Sequence, residues 1–379
     1  MTVQQLTRLG RRGAVALATL GLVVLPQAAQ ASVSLTPDVT PRVNGPVYAI
    51  AQVGDLTIIG GEFTTVGGKP RNNAAAIRAD GTLDPNFNPS PDGIVRALAG
   101  SADGTTVYLG GRFDNAGGAV RANLAAVDTA TGTALPGWQA DTTGASPGLW
   151  ALASQGDRLY VGGTFSGIDG TVRASMVALD AAGDVVSNFR PRANAGIKAI
   201  RVSPDGATVF AGGQFSKLGG LDRPFGVGAV SASTGDATAF NPVEGSDRAI
   251  TVGLSPDGTR FYFSTPDNRL FSYDTAGTST LVWIRKTSGD TQAIYPSPTG
   301  EVYIGGHFSQ ITTFKIKRMF LASLNASDGT VTPWAPDPSG GDMGVWAITP
   351  TQGSLSVGGT FTTVSGVERV RFARFPGTP

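Results

Sequence analysis

Cysteine is absent from the 379 residues of this chain. That removes disulfide staples, thiolate metal ligands, a cysteine nucleophile and a cysteine-linked lipid anchor. Histidine occurs once, at His307, which excludes a His-rich metal centre. Charge is sparse: 15% of residues are charged, and 29 basic side chains stand against 28 acidic ones. Nothing in that balance calls for nucleic acid, which needs a basic patch. A membrane span is missing too. The one candidate, the apolar run from Gly13 to Leu25, falls short of the ~20 residues a bilayer requires.

That run reads instead as the middle of a leader. Arg8, Arg11 and Arg12 precede it, and small residues Ala29 and Ala31 follow it, the pattern of a secretory signal with a cut between Ala31 and Ser32. The Arg11-Arg12 pair lacks the neighbours of a twin-arginine signal, so the ordinary secretory route is expected. Residues 1–31 are therefore assigned to a signal peptide. The expected mature chain, 32–379, loses three Arg and carries 26 basic against 28 acidic residues. It is expected to be secreted or envelope-associated, with no membrane span. Held by its core alone, it is long enough for one large fold.

What the chain has in quantity is glycine, 53 residues of it, and much of it is periodic. The pattern Gly-Gly-x-Phe starts at Gly60, Gly110, Gly162, Gly212, Gly305 and Gly358. The spacing is close to fifty residues, and the long gap leaves room for a seventh, degenerate copy. A period of that size built from short β-like runs indicates a β-propeller. In the third copy, Leu149 to Ser154, Arg158 to Phe165, Ala174 to Asp180 and Val185 to Arg190 each read as a strand. Turns such as Ser-Pro-Asp-Gly at Ser203 and Ser255 separate the first two strands of a unit.

The expected fold is all-β: a seven-bladed propeller of four-stranded antiparallel blades. The blades span about 47–93, 94–148, 149–196, 197–248, 249–289, 290–342 and 343–379. The chain ends on a third strand, and the segment 32–46 precedes the first blade. Pro41 stands eight residues before Ala49, as Pro89 does before Ala97 and Pro191 before Ala199. This register predicts that 32–46 supplies the missing fourth strand and closes the ring. The fifth blade is degenerate: Ser264-Thr265 replaces the Gly doublet and its loop is short. The sixth carries a longer loop with Lys315, Lys317 and Arg318. Drift and a partner surface both account for that irregularity.

The unit "YVGGTFSGIDGTVRASMVALDAAG" resembles the delta-60 repeat family of bacterial β-propellers, over nearly all of residues 47–379. There is a looser similarity to kelch-type propellers, whose Tyr and Trp landmarks do not line up. The resemblance implies a secreted or surface-attached propeller and brings no catalytic residues.

Chemistry is hard to find. A Ser-His-Asp triad would have to use His307, which sits in the variable slot of Gly-Gly-x-Phe and reads as an ordinary strand residue. "SADGTTVY" and "SPDGTRFYF" are out of register for an Asp box, and turn chemistry explains them better. No carboxylate spacing singles out a glycosidase pair. An Arg recurs after the second-strand loop, at Arg71, Arg121, Arg173, Arg223, Arg318 and Arg369. A residue common to every repeat serves what every repeat shares, so a structural role is expected. No metal, cofactor or catalytic residue is assigned.

Where the repeats disagree is more informative. Before the small residue of each first strand stand Tyr48, Arg96, Trp150, Lys198, Ile250, Gln292 and Trp346. First strands line a propeller's channel, so Tyr48, Arg96, Trp150, Lys198, Gln292 and Trp346 are ligand-binding candidates. Aromatics can stack on sugar faces while polar groups fix orientation. Sideways packing between blades is the alternative, and alternation permits both. The functional expectation is a monomeric secreted binding module for an extracellular glycan or a surface protein. A carbohydrate hydrolase or lyase and a purely structural module are the alternatives.

Overall fold

Short runs of β-branched and aromatic residues, broken by Gly, Asp and Asn, become strands. The computed structural model describes residues 33–379 except 145, 247 and 378, and the segment read as a leader lies outside them. Among the described residues there is no helix, and so none long and apolar enough to cross a membrane. Seven principal antiparallel sheets follow one another along the described residues, from Val47 to Pro376. Their first strands are Val47–Val53, Ile94–Gly100, Gly148–Gln155, Ile197–Val202, Val252–Leu254, Thr291–Pro296 and Val345–Thr351. A second strand pairs with each, ending near the Gly doublet in six sheets and at Ser264 in the fifth, and a third strand pairs with the second.

The core lies between sheets, one apolar layer per neighbouring pair. Leu149, Leu152 and Phe165 of the third sheet pack on Tyr108 and Trp138 of the second. The same arrangement recurs along the chain, and Ala347 and Phe372 of the seventh sheet join Ile50 and Phe63 of the first. The Phe of every Gly-Gly-x-Phe is buried. The fourth-segment aromatics are buried as well and meet second-strand rings, as in Tyr160–Phe189 and Tyr303–Trp334. Full burial of such a ring is worth about 2–3 kcal/mol.

The Gly doublet has two separate steric causes. A Cβ on the first glycine would strike the next sheet: Val95 at 2.7 Å from Gly60, Val252 at 2.4 Å from Gly212, and Val47 at 2.6 Å from Gly358. That last contact joins the seventh sheet to the first. A Cβ on the second glycine would strike the backbone of its own first strand, such as the Pro46 carbonyl at 2.0 Å from Gly61. Only glycine lets these backbones approach.

The fourth strands differ from expectation. Among the described residues a full fourth strand, Leu281–Lys286, forms only in the fifth sheet. In five others the fourth segment meets the third strand at a single bridge, such as Leu179–Val185. The chain then turns, as where the Phe189 N–H donates to Val186 O at 3.2 Å, and the turn drives the aromatic ring inward. The recurring Arg takes up fourth-segment carbonyls at this point. Arg173 donates to Ser187 O at 3.3 Å, Arg223 to Thr238 O at 3.0 Å and Arg318 to Thr332 O at 2.8 Å. Its role is structural.

In the seventh sheet the partner comes from the other end of the chain. Arg369 donates to Asp38 O at 2.5 Å and to Pro37 O at 3.1 Å. The Ser34 and Asp38 N–H groups donate to Pro376 O and Arg374 O, each at 2.7 Å. An Arg374–Asp38 ion pair at 3.0 Å flanks them.

The irregular fifth and sixth sheets fit each other. The Thr312 N–H donates to Lys286 O and the Lys286 N–H to Thr313 Oγ1. Phe314 packs under the Arg285 guanidinium, 5.0 Å from ring centroid to Cζ. The longer loop of the sixth sheet therefore covers the fourth strand of the fifth.

Candidate functional site

Six first strands carry a β-bulge, and the ladder locates it by skipping one residue: between Val47 and Ala49, Val95 and Ala97, Leu149 and Ala151, Ile197 and Ala199, Thr291 and Ala293, and Val345 and Ala347. The skipped residues are Tyr48, Arg96, Trp150, Lys198, Gln292 and Trp346. A bulged residue has no partner opposite it, and the bulge re-aims its side chain. All six are half-buried while the residues on either side are buried. The second glycine of each doublet makes room for the bulge. In the fifth sheet Thr265 holds that position and the first strand starts only at Val252; just before it the Ile250 N–H donates to Ser264 O at 2.9 Å and the Ser264 N–H to Thr251 O at 3.2 Å.

The bulges bring the six side chains together. With Ile250, they line one cavity of about 940 Å³, to which the first strands of six sheets and the segment just before the fifth sheet's first strand contribute. Their mutual contacts are specific. Arg96 Cζ is 4.7 Å from the Tyr48 ring centroid, and Lys198 Nζ is 3.2 Å from that of Trp150. Tyr48 and Trp346 meet edge-to-face at 5.5 Å. Burial and the neighbouring Arg96 lower the Lys198 ammonium pKa to about 8. Burial, with the Glu62 charge second, raises the Tyr48 phenol pKa.

A second set of residues adjoins the ring, and sequence reasoning missed it. The variable slot of Gly-Gly-x-Phe lies beside the bulge, because its N–H bonds the chain just before it, as the Glu62 N–H does to Pro46 O at 3.0 Å. Arg112 and Thr164 from this slot line the cavity. Glu62 accepts from the Tyr48 hydroxyl at 3.4 Å. His307, read from sequence as an ordinary strand residue, pairs through Nδ1 with Asp290 and lies edge-on to Trp346 at 5.3 Å. Asp290 also accepts from Gln292 Nε2. His307 Nε2 and Trp346 Nε1 are buried without a hydrogen-bond partner among the described residues. The signal for this second set was register: the slot sits beside the bulge in every sheet that has one.

Chemically the lining is cationic and aromatic. Arg96, Arg112, Lys198 and Arg201 line the cavity, and among the described residues no Asp or Glu does. Glu62 and Asp290 stand behind Tyr48 and Gln292. Among the described residues no cluster of three or more His, Asp or Glu is placed to hold a metal. The Ser-x-Asp-Gly segments are turns: Asp205 accepts from Ser203 Oγ at 2.5 Å, and the Gly206 N–H donates to Ser203 O at 2.8 Å.

The sequence profile of a family described as "Domain of unknown function (DUF5122) beta-propeller" matches residues 57–87. No curated protein matches the sequence. Among solved structures the chain is similar to the WD40 β-propeller domain of Doa1, with a TM-score of 0.60 and 12% identity over 91% of this chain and 96% of that one. It is also similar to the computationally designed Ika8 protein, with a TM-score of 0.54 and 12% identity over 89% of each chain. Likeness at such identities is likeness of fold. The chain is an all-β propeller.

Proposed function

We propose that this protein is a secreted, non-catalytic binding propeller whose ligand, an extracellular or envelope glycan, docks at the mouth of the central channel. In this reading the seven principal sheets are blades, and the segment 33–43 completes the seventh blade and closes the ring. The repeats are of the delta-60 kind. Export rests on the pattern of residues 1–31, and the closed ring on the Gly358–Val47 and Arg369–Pro37 contacts. The observation that carries the function is the identity of the bulged residues. The positions where the repeats differ most are the ones the backbone turns out of the ladder into one cavity. A purely structural ring would have no use for that arrangement. A hydrolase would need carboxylates facing the cavity, and the nearest ones are engaged behind it.

The test is binding of the protein to an array of cell-wall and extracellular glycans, with Trp150→Ala and Trp346→Ala alongside. Saturable binding that is lost in both variants, without product release, is expected. Binding that survives both substitutions would move the site off the channel mouth. Release of a shortened glycan would replace the binding reading with a hydrolase or lyase.

A further inference from the structure

We propose that the channel mouth is an anion site: Arg96 and Lys198, with Arg112 beside them, hold a carboxylate or sulfate group of an acidic saccharide. This rests on the glycan reading above and narrows it. From sequence, Tyr48 and Trp150 are platforms for sugar rings. In the structure a cation already faces each ring, Arg96 at Tyr48 and Lys198 at Trp150. An aromatic face attracts a cation but does not neutralise it. The two charges are thus held in place with their positive charge intact.

Counter-charge is scarce at the cavity wall. Among the described residues four basic ones and no acidic one line it, with Glu62 and Asp290 standing behind Tyr48 and Gln292. Among the described residues Arg96, Arg112, Lys198 and Arg201 belong to no ion pair, and the pair that adjoins the ring, His307–Asp290, involves none of them. The whole chain has a net charge of only +1, so this is a local concentration rather than a general basic surface. Arg201 stands further along the same first strand. Its side chain is open to the cavity, yet the surrounding strands crowd it and lower its guanidinium pKa. Like charges confined in one concave site focus a positive potential there. A bound anion relieves their repulsion and accepts charge-assisted hydrogen bonds from the two guanidinium groups and the ammonium. A neutral sugar would leave the repulsion in place and would have to displace the cations to reach the rings.

The experiment is calorimetric titration of the whole protein with four probes: an oligogalacturonate, a sulfated glycosaminoglycan oligosaccharide, a neutral cello-oligosaccharide and inorganic sulfate. Each is run at low salt and at about 0.5 M salt, where screening is nearly complete beyond contact distance. Acidic oligosaccharides are expected to bind and the neutral one not to. Salt weakens that binding, and Lys198→Met or Arg96→Gln weakens it about tenfold or more, the scale of one charge-assisted contact. Thermal unfolding of both variants checks that they are folded. The carboxylated and sulfated probes tell which anion is preferred. If the neutral oligosaccharide binds as well as the acidic ones and neither substitution matters, the anion inference is overturned while the glycan reading stands. If sulfate binds through Lys198 and no saccharide does, the anion site stands and the glycan reading falls. If none of the four binds, both fall.

Discussion

The Lys198 ammonium nitrogen lies 3.2 Å from the centre of the Trp150 ring, although the two residues belong to different sheets. Each is the bulged residue of its first strand, and the bulges aim both at the same cavity. The contact holds a half-buried amine in a fixed place next to another cation, Arg96, which accounts for its lowered pKa. The same device recurs at Arg96 and Tyr48.

Stability should carry the mark of that amine. The folded-state pKa of Lys198 is about 8, against an ordinary 10.5. Between those two values the unfolded chain binds more protons than the folded one, so stability rises with pH across that window. Below about pH 8 the full penalty of holding a charged, crowded amine remains. Denaturant unfolding of the unliganded protein and of Lys198→Met, compared from pH 7 to pH 10.5, should show the wild type gaining on the variant. A constant difference would mean that Lys198 titrates normally.

Ligand affinity should run the opposite way. An anion needs the protonated amine, so binding of an acidic oligosaccharide weakens as pH rises through about 8. In Lys198→Met the residual binding should show no such step. Titrations at pH 6.5, 7.5 and 8.5 decide this.

The two kinds of glycine should differ in cost. A Cβ at Gly111 would lie 2.0 Å from the Ile94 carbonyl oxygen, whereas one at Gly118 would meet nothing within 4 Å. Gly118 has φ +78°, so Gly118→Ala should cost about 1 kcal/mol of backbone strain. Gly111→Ala should cost about 2–3 kcal/mol and also disturb Arg96, because the bulge depends on that approach. Urea midpoints of the two variants give the comparison, and equal midpoints would refute the steric account.

Removing the Arg that joins the chain's two ends should loosen one segment first. Arg369→Ala loses the bonds to Asp38 O and Pro37 O, about 1–3 kcal/mol in all. Limited proteolysis read by mass spectrometry should then cut within 33–43 well before global unfolding. Arg173→Ala, which removes the equivalent bond inside the third sheet, should leave 33–43 protected.

Much of the fold could be read in the chain because the repeat is written in residues that have one job each. Gly-Gly permits close approach, Phe fills the inter-sheet layer, and Ser-x-Asp-Gly makes the turn. The ring of candidates was legible for the converse reason: Tyr48, Arg96, Trp150 and Lys198 interrupt an otherwise uniform pattern. The fourth strands were over-read, because their alternation survives in segments that pair at one residue and then turn. The turn depends on an Arg from elsewhere in the unit taking over their carbonyls. His307 was under-read, because its partner Asp290 lies in the preceding connection and only strand pairing brings the two together.

The sequence alone determined the all-β architecture, the repeat and the positions where the repeats differ. These follow from local sterics and burial, which act over a few residues and repeat with the period. Tertiary structure decided where those positions point and what they touch. A bulge is a property of two paired strands, not of one. Whether an aromatic face is free for a sugar or covered by a cation depends on which side chain the neighbouring sheet brings to it. Lys198 and Trp150 are 48 residues apart in the chain, and only the packing of two sheets brings them into contact.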